Sequence, residues 1–165
     1  MGLFKKILGT KAGIIDDKIY SPLTGEVAPL SAVNDLVFSQ EMMGKGVAVI
    51  PRAGRVVAPC NGEIISVFRT RHAVTIKADN GAEIIIHVGL ETVALDGKYF
   101  ESHVADGERI NKGDLLLTFD IDKIKEEGYE MITPVIVTNS ADYQRVDKTE
   151  KNRVKDGDLL IALTK

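Results

Sequence analysis

The chain has 165 residues, 44% of them hydrophobic, 27% charged and 5% aromatic, with a formal net charge of −3. That length is one domain's worth, and the balance excludes a disordered chain, a collagen, a coiled coil and a basic nucleic-acid footprint. A single cysteine, Cys60, excludes an internal disulfide, and no apolar run reaches the ~18 residues of a membrane helix, so a cytoplasmic globular protein is expected.

In chain order, residues 1–15 read as a flexible N-terminal segment. Leu3, Phe4, Ile7 and Leu8 share one helical face with Lys5 and Lys6 opposite, so an amphipathic helix able to touch anionic lipid weakly is expected there. The segment lacks a signal peptide's long apolar region, and Lys6 stands where myristoylation needs Ser or Thr. Residues 16–165 form the domain. Period-two alternation and short apolar runs place strands over 27–30, 46–50, 55–58, 63–68, 72–78, 82–88, 114–119, 135–138 and 158–163. Gly25, Gly54, Gly62, Gly81, Gly97, Gly107 and Gly113 mark turns between them. Helical signals are short: a turn near 32–37, and a run from an Asp120 or Asp122 cap through Ile124 to a Gly128 stop. The expected fold is all-β, a compact antiparallel β-sandwich or barrel-like structure.

Two short patterns each occur twice. Ser21-Pro22-Leu23-Thr24-Gly25-Glu26-Val27 echoes Ala58-Pro59-Cys60-Asn61-Gly62-Glu63-Ile64, and Ile110-Asn111-Lys112-Gly113-Asp114-Leu115-Leu116 echoes Val154-Lys155-Asp156-Gly157-Asp158-Leu159-Leu160. Either an internal duplication or common turn chemistry accounts for them.

Residues 72–88 carry two of the three histidines. Asn80-Gly81 signals a two-residue hairpin turn, which sets Val74 opposite His87 and makes His72 its diagonal neighbour on a face with Ile76 and Ile85. A loop one residue longer would send the two histidines to opposite faces. Three readings of this pair stand: buried hydrogen-bonded histidines, a metal site, or nucleophilic catalysis. Zinc favours four ligands, or three plus water, and the sequence places no further His or Cys near the pair. A neutral imidazole attacks phosphorus near pH 7 without a separate base, and a second imidazole can stabilise the phosphoryl oxygens. Other routes are thin: no Gly-x-Ser-x-Gly elbow and no P-loop occur. Cys60 reads as a small turn or core residue, and His103 as a loop residue without a partner. Arg69 and Arg71 beside His72 are either strand charges or rim cations for a phosphate or acidic partner.

The run Gly81-Ala82-Glu83-Ile84-Ile85-Ile86-His87-Val88-Gly89-Leu90-Glu91-Thr92-Val93 resembles the phosphorylation-site signature of the glucose-family IIA component of the bacterial phosphoenolpyruvate-dependent sugar phosphotransferase system. Ser21-Pro22-Leu23-Thr24-Gly25-Glu26, Asp35-Leu36-Val37-Phe38, Met43-Gly44-Lys45-Gly46-Val47-Ala48, Thr70-Arg71-His72-Ala73 and Leu95-Asp96-Gly97-Lys98-Tyr99-Phe100 follow in that family's order. The resemblance implies a phosphocarrier that takes a phosphoryl group from the histidine-containing carrier HPr and gives it to a cysteine of a permease IIB domain. It implies His87 as acceptor, His72 as second histidine, Thr70 as its hydrogen-bonding hydroxyl, and Val37, Phe38 and Phe68 as an apolar floor. Asp35, Glu91, Val88 and Val93 complete the implied partner surface, with Glu91 where Asp is more usual and Val88 where Phe is common. No cofactor is implied, and zinc would bind His72 and His87 only with a ligand from a partner. Regulatory protein targets are a further implied class. A LytM-like zinc peptidase, a different class on similar architecture, needs a His-x-His pair, whereas Val88-Gly89 follow His87.

Overall fold

A computed structural model describes residues 17–165. Its strands are β1 (Lys18–Tyr20), β2 (Gly25–Pro29), β3 (Lys45–Pro51), β4 (Arg55–Val57), β5 (Gly62–Val67), β6 (Ala73–Ala78) and β7 (Glu83–His87). The second half adds β8 (Phe100–Ser102), β9 (Arg109–Ile110), β10 (Leu115–Phe119), β11 (Thr133–Val137), β12 (Arg145–Lys148), β13 (Arg153–Val154) and β14 (Leu159–Thr164). The helices are α1 (Leu36–Ser39) and α2 (Ile121–Glu126), with three 3-10 turns. The amphipathic stretch expected near the N-terminus lies outside the described residues. Among the described residues, no helix is long and apolar enough to cross a membrane.

One eight-stranded antiparallel sheet runs β13-β2-β3-β11-β7-β6-β5-β9, and two three-stranded sheets run β1-β14-β12 and β4-β10-β8. The large sheet ends on the two-residue strands β13 and β9, so the architecture is an open sandwich and not a closed barrel. Alternate residues of the large sheet serve two cores. Val47, Val49, Val74, Ile76, Ile84, Ile86, Val135 and Val137 pack with Ile19, Leu116 and Ile161 of the smaller sheets. Ala48, Ile85 and Ile136 point the other way, to Leu30, Val33, Phe38 and Leu90. Burial on both faces makes all five residues of β11 inaccessible, which is why that strand reads as a continuous apolar run.

The duplication is real. Gly113 N donates to Ala58 O and Gly157 N to Ser21 O, each at 2.9 Å, while Ala58 N donates to Asp114 O and Ser21 N to Asp158 O. Ile110 pairs with Gly62, and Val154 with Gly25. Both turns use a left-handed glycine, Gly113 at φ +93° and Gly157 at φ +95°, and an aspartate accepting from the residue three before it.

Local signals fixed the helix boundaries unevenly. Asp120 caps α2 by accepting from Lys123 N, and Gly128 at φ +96° follows its end. The helical turn expected near 32–37 is split into a 3-10 turn at Leu30–Ala32 and α1, because Asp35 caps the later segment by accepting from Val37 N.

The hairpin register differs from the sequence expectation. Its loop has three residues, Asp79-Asn80-Gly81, closed by Ala78 N to Ala82 O at 2.8 Å, with Gly81 at φ +95°. Ala73 therefore faces His87, and Val74 faces Ile86. The one-residue shift sends Ile76 to the main core and leaves Ile85 on the other face.

Candidate functional site

His87 ends β7 on the face of the second apolar cluster, opposite Ala73. Strict alternation would put His72 on the other face. His72, however, precedes β6, behind Arg71 at φ +57°, and its carbonyl accepts from Val88 N at 2.7 Å. Freed from the pleat, its ring reaches His87: the centroids are 4.8 Å apart with planes at 83°.

Both rings rest on aromatics. Phe38 of α1 lies 5.1 Å from His87, and Phe68 meets His72 edge-on at 5.5 Å. Thr70 Oγ1 is 2.8 Å from His72 Nδ1, with both residues buried. His87 Nδ1 donates to Gly89 O at 2.8 Å. Each imidazole thus has its Nδ1 engaged, leaving Nε2 for chemistry.

Burial, and then the neighbouring His87, lower His72 to a pKa of about 4. Burial lowers His87 as well, opposed by the Gly89 carbonyl and the charge of Asp35. Both rings are consequently neutral near pH 7.

The rim comes from three segments, residues 35–42, Phe68 and residues 91–93. Asp35 caps α1 and bears electrostatically on His87, so one carboxylate does a structural and an electrostatic job. Val37, Phe68 and Val93 are exposed hydrophobics. Leu36 of α1 and Met42, beyond its end and tied to it by Met42 N donating to Val37 O at 3.0 Å, were missed by the sequence reading and extend that apolar surface at 67% and 69% exposure. Glu91 is exposed at φ +58°. Val88 is a correction: it is 0% exposed within the main core and offers a partner nothing. Alternation along the chain puts it there: Val88 follows Ile84 and Ile86 onto the core side, while Ile85 and His87 face the other way. Phe38, 5% exposed, forms the floor of the site and not its docking surface.

The arginines are tied to one turn. Arg69 pairs with Asp96 at 3.2 Å, and Arg71 donates to Gly97 O at 3.4 Å. His103 does have a partner, Thr118 Oγ1 at 2.9 Å. Cys60 is buried, and burial pushes its thiol up to about 12, ahead of smaller effects of Asp79 and Arg109. Glu83 pairs with Lys77. Among the described residues no three His, Cys, Asp or Glu gather as metal ligands.

Sequence reasoning quoted Gly89 and Thr92 without seeing their part, and it missed Thr133. Gly89 has φ +75°, and a Cβ there would stand 2.8 Å from Thr92 Cγ2 and 2.9 Å from Glu130 O. Thr92 Oγ1 donates to Val88 O at 2.5 Å, and Thr133 Oγ1 accepts from Gly89 N at 3.3 Å. The glycine's place two residues after the histidine was the only local signal.

Comparison with known proteins matches residues 17–143 to the family described as phosphoenolpyruvate-dependent sugar phosphotransferase system, EIIA 1. A glucose-specific EIIA component of Halalkalibacterium halodurans is 43% identical over 99% of this chain and 95% of its own length. A beta-glucoside-specific EIIBCA component of Bacillus subtilis is 47% identical over 88% of this chain, which spans 24% of that longer relative. Among solved structures, glucose permease IIA from Mycoplasma capricolum superposes with a TM-score of 0.81 at 34% identity, over 87% of this chain and 93% of that one.

Proposed function

The chain belongs to the phosphoenolpyruvate-dependent sugar phosphotransferase EIIA 1 family, and on that premise we propose that His87 carries a phosphoryl group from phospho-HPr to the IIB domain of a sugar permease. The observation that carries this reading is the pair of imidazoles, centroids 4.8 Å apart, each with its Nδ1 engaged. With its proton on Nδ1, His87 has a bare Nε2 lone pair as nucleophile. A P–N bond forms at Nε2 as the donor's P–N bond breaks; in the second step a IIB cysteine sulfur takes phosphorus and His87 returns to its starting form. Little else is asked of the protein than position and charge stabilisation.

Thr70 donating to His72 Nδ1 sets the second ring's proton on Nε2, where it hydrogen-bonds a phosphoryl oxygen. Phe38 and Phe68 exclude water from the labile phosphoimidazole. Val37, Phe68 and Val93, with Leu36 and Met42, form the apolar docking surface, and Asp35 and Glu91 attract a basic donor. The same surface suits regulatory protein targets. Relatives named for glucose and for beta-glucosides support a glucose-type sugar.

This reading needs no cofactor. The site presents two imidazoles, at most half a tetrahedral set, so zinc would bind only with ligands from a partner. Incubation with phospho-HPr followed by mass spectrometric mapping tests the proposal. An acid-labile phosphoryl group on His87 supports it, and one on His72 in the wild-type protein overturns the assignment.

A further inference from the structure

The carbonyl that fixes the His87 tautomer belongs to a residue with an unusual set of restraints. β7 ends at His87, so the Gly89 N–H lies beyond the ladder that joins β7 to β11. Thr133, the first residue of β11 and 0% exposed, takes that N–H on its hydroxyl oxygen. The Thr133 hydroxyl proton goes to Met131 O at 2.8 Å, which leaves an oxygen lone pair for Gly89. Leu90 N donates to Glu130 O at 3.0 Å, so the 130–133 segment grips residues 89 and 90 together. Gly89 O, at the centre of this grip, accepts from His87 Nδ1.

We propose that Thr133 is a positioning residue for the His87 imidazole: by holding the Gly89 N–H it keeps the Gly89 carbonyl aimed at Nδ1, and so keeps the proton off the reacting Nε2. Its importance for transfer rests on the reading of His87 as phosphoryl acceptor, but the tautomer itself does not. Thr133 touches neither the phosphoryl group nor a partner. A neutral imidazole free of this restraint would share its proton between the two nitrogens, and the Nε2–H form has no lone pair on Nε2 with which to attack phosphorus. Outer hydrogen-bond partners of metal-ligating histidines act comparably, and losing one typically costs 10–100-fold.

The test uses the full chain labelled with 15N-histidine, observed by long-range proton–nitrogen NMR without phosphorylation, together with phosphorylation rates from phospho-HPr. Wild-type His87 should carry its proton on Nδ1, and the Gly89 amide should exchange slowly. Thr133→Val, which keeps shape and loses the hydroxyl, should give a mixture of His87 tautomers and slow phosphorylation about tenfold. The His72 tautomer should stay unchanged, and Thr133→Ser should restore both properties of His87. A folded Thr133→Val protein with the wild-type His87 tautomer overturns the proposal. So does a wild-type His87 protonated on Nε2, or a freely exchanging Gly89 amide, whatever the variants do. A wild-type protein that takes no phosphoryl group on His87 instead overturns the phosphocarrier reading and leaves the tautomer comparison to judge Thr133 separately.

Discussion

His72 and His87 meet edge-on at 4.8 Å although their hairpin is in the register that should separate them. The left-handed turn at Arg71 releases His72 from strand alternation, and the small Ala73 opposite His87 leaves the rings room to approach. The same turn places Thr70 Oγ1 on His72 Nδ1. A short irregularity before β6 thus does what pleated geometry forbids.

Replacing His87 with Ala should abolish the acid-labile phosphoprotein while leaving the fold intact, because the ring lies at the end of β7 and not in the main core. His72→Ala should slow phosphoryl transfer by roughly 10²–10³, the usual loss for one donor to a developing anion. His72→Gln, which keeps a donor of similar reach, should lose less. Rapid-quench phosphorylation with circular dichroism on each variant checks the order. Equal rates in wild type and His72→Ala would remove His72 from the chemistry.

Stability should fall as pH drops from about 6.5 towards 4. The folded-state pKa of His72 is lowered to about 4 by burial and by His87, so across that window the unfolded chain binds a proton that the folded chain refuses. The contribution is fully present above the unfolded value and is lost as pH falls, amounting to on the order of 2–3 kcal/mol. His87, also lowered, adds in the same direction. Urea midpoints at pH 7, 5.5 and 4 measure the slope, and His72→Gln should flatten it. A His72→Gln protein with an unchanged slope would assign the acid sensitivity to other groups.

Asp35 should separate into two functions by substitution. Asn caps helices about as well as Asp, so Asp35→Asn keeps α1 and removes only the charge. Its association with HPr should slow at low ionic strength and recover towards wild type in high salt. Asp35→Ala should in addition destabilise the protein by ~1 kcal/mol through the lost cap. Stopped-flow rates at two salt concentrations distinguish these outcomes.

Gly89→Ala should destabilise by more than about 1 kcal/mol, since φ is +75° and the new methyl would press on Glu130 O. Phosphorylation should fall as well, because the Gly89 carbonyl must shift away from His87 Nδ1. Thermal melts and phosphorylation rates read the two effects.

Cys60 should resist alkylation at pH 8 in the folded protein and react readily in urea, because its thiol is buried and raised to about 12. Mass spectrometry after iodoacetamide treatment shows which.

The sequence by itself determined the all-β class, the Asp120–Gly128 helix, the repeated Gly113 and Gly157 turns, and the pair His72 and His87. Those features rest on local physics: alternation, caps, left-handed glycines, and a motif written in consecutive residues. It misjudged the hairpin because Asn80-Gly81 suits both a two-residue and a three-residue loop, and one residue reverses every facing side chain. Val88 was placed on the docking surface by the resemblance alone, whereas alternation along β7 carries it into the core on the face opposite His87.

Only the tertiary structure decided which distant residues serve the site. Thr133 stands 44 residues from Gly89, and Phe38 stands far from His87 in the chain yet packs against it at a tilt. Nothing in a local pattern encodes such pairings. They arise when β11 inserts between β3 and β7 and α1 closes over the sheet's second face, each burying apolar surface wherever it is left exposed. Burial is non-directional and acts between any segments that meet, so the sequence names the reacting groups while packing selects the residues that hold them.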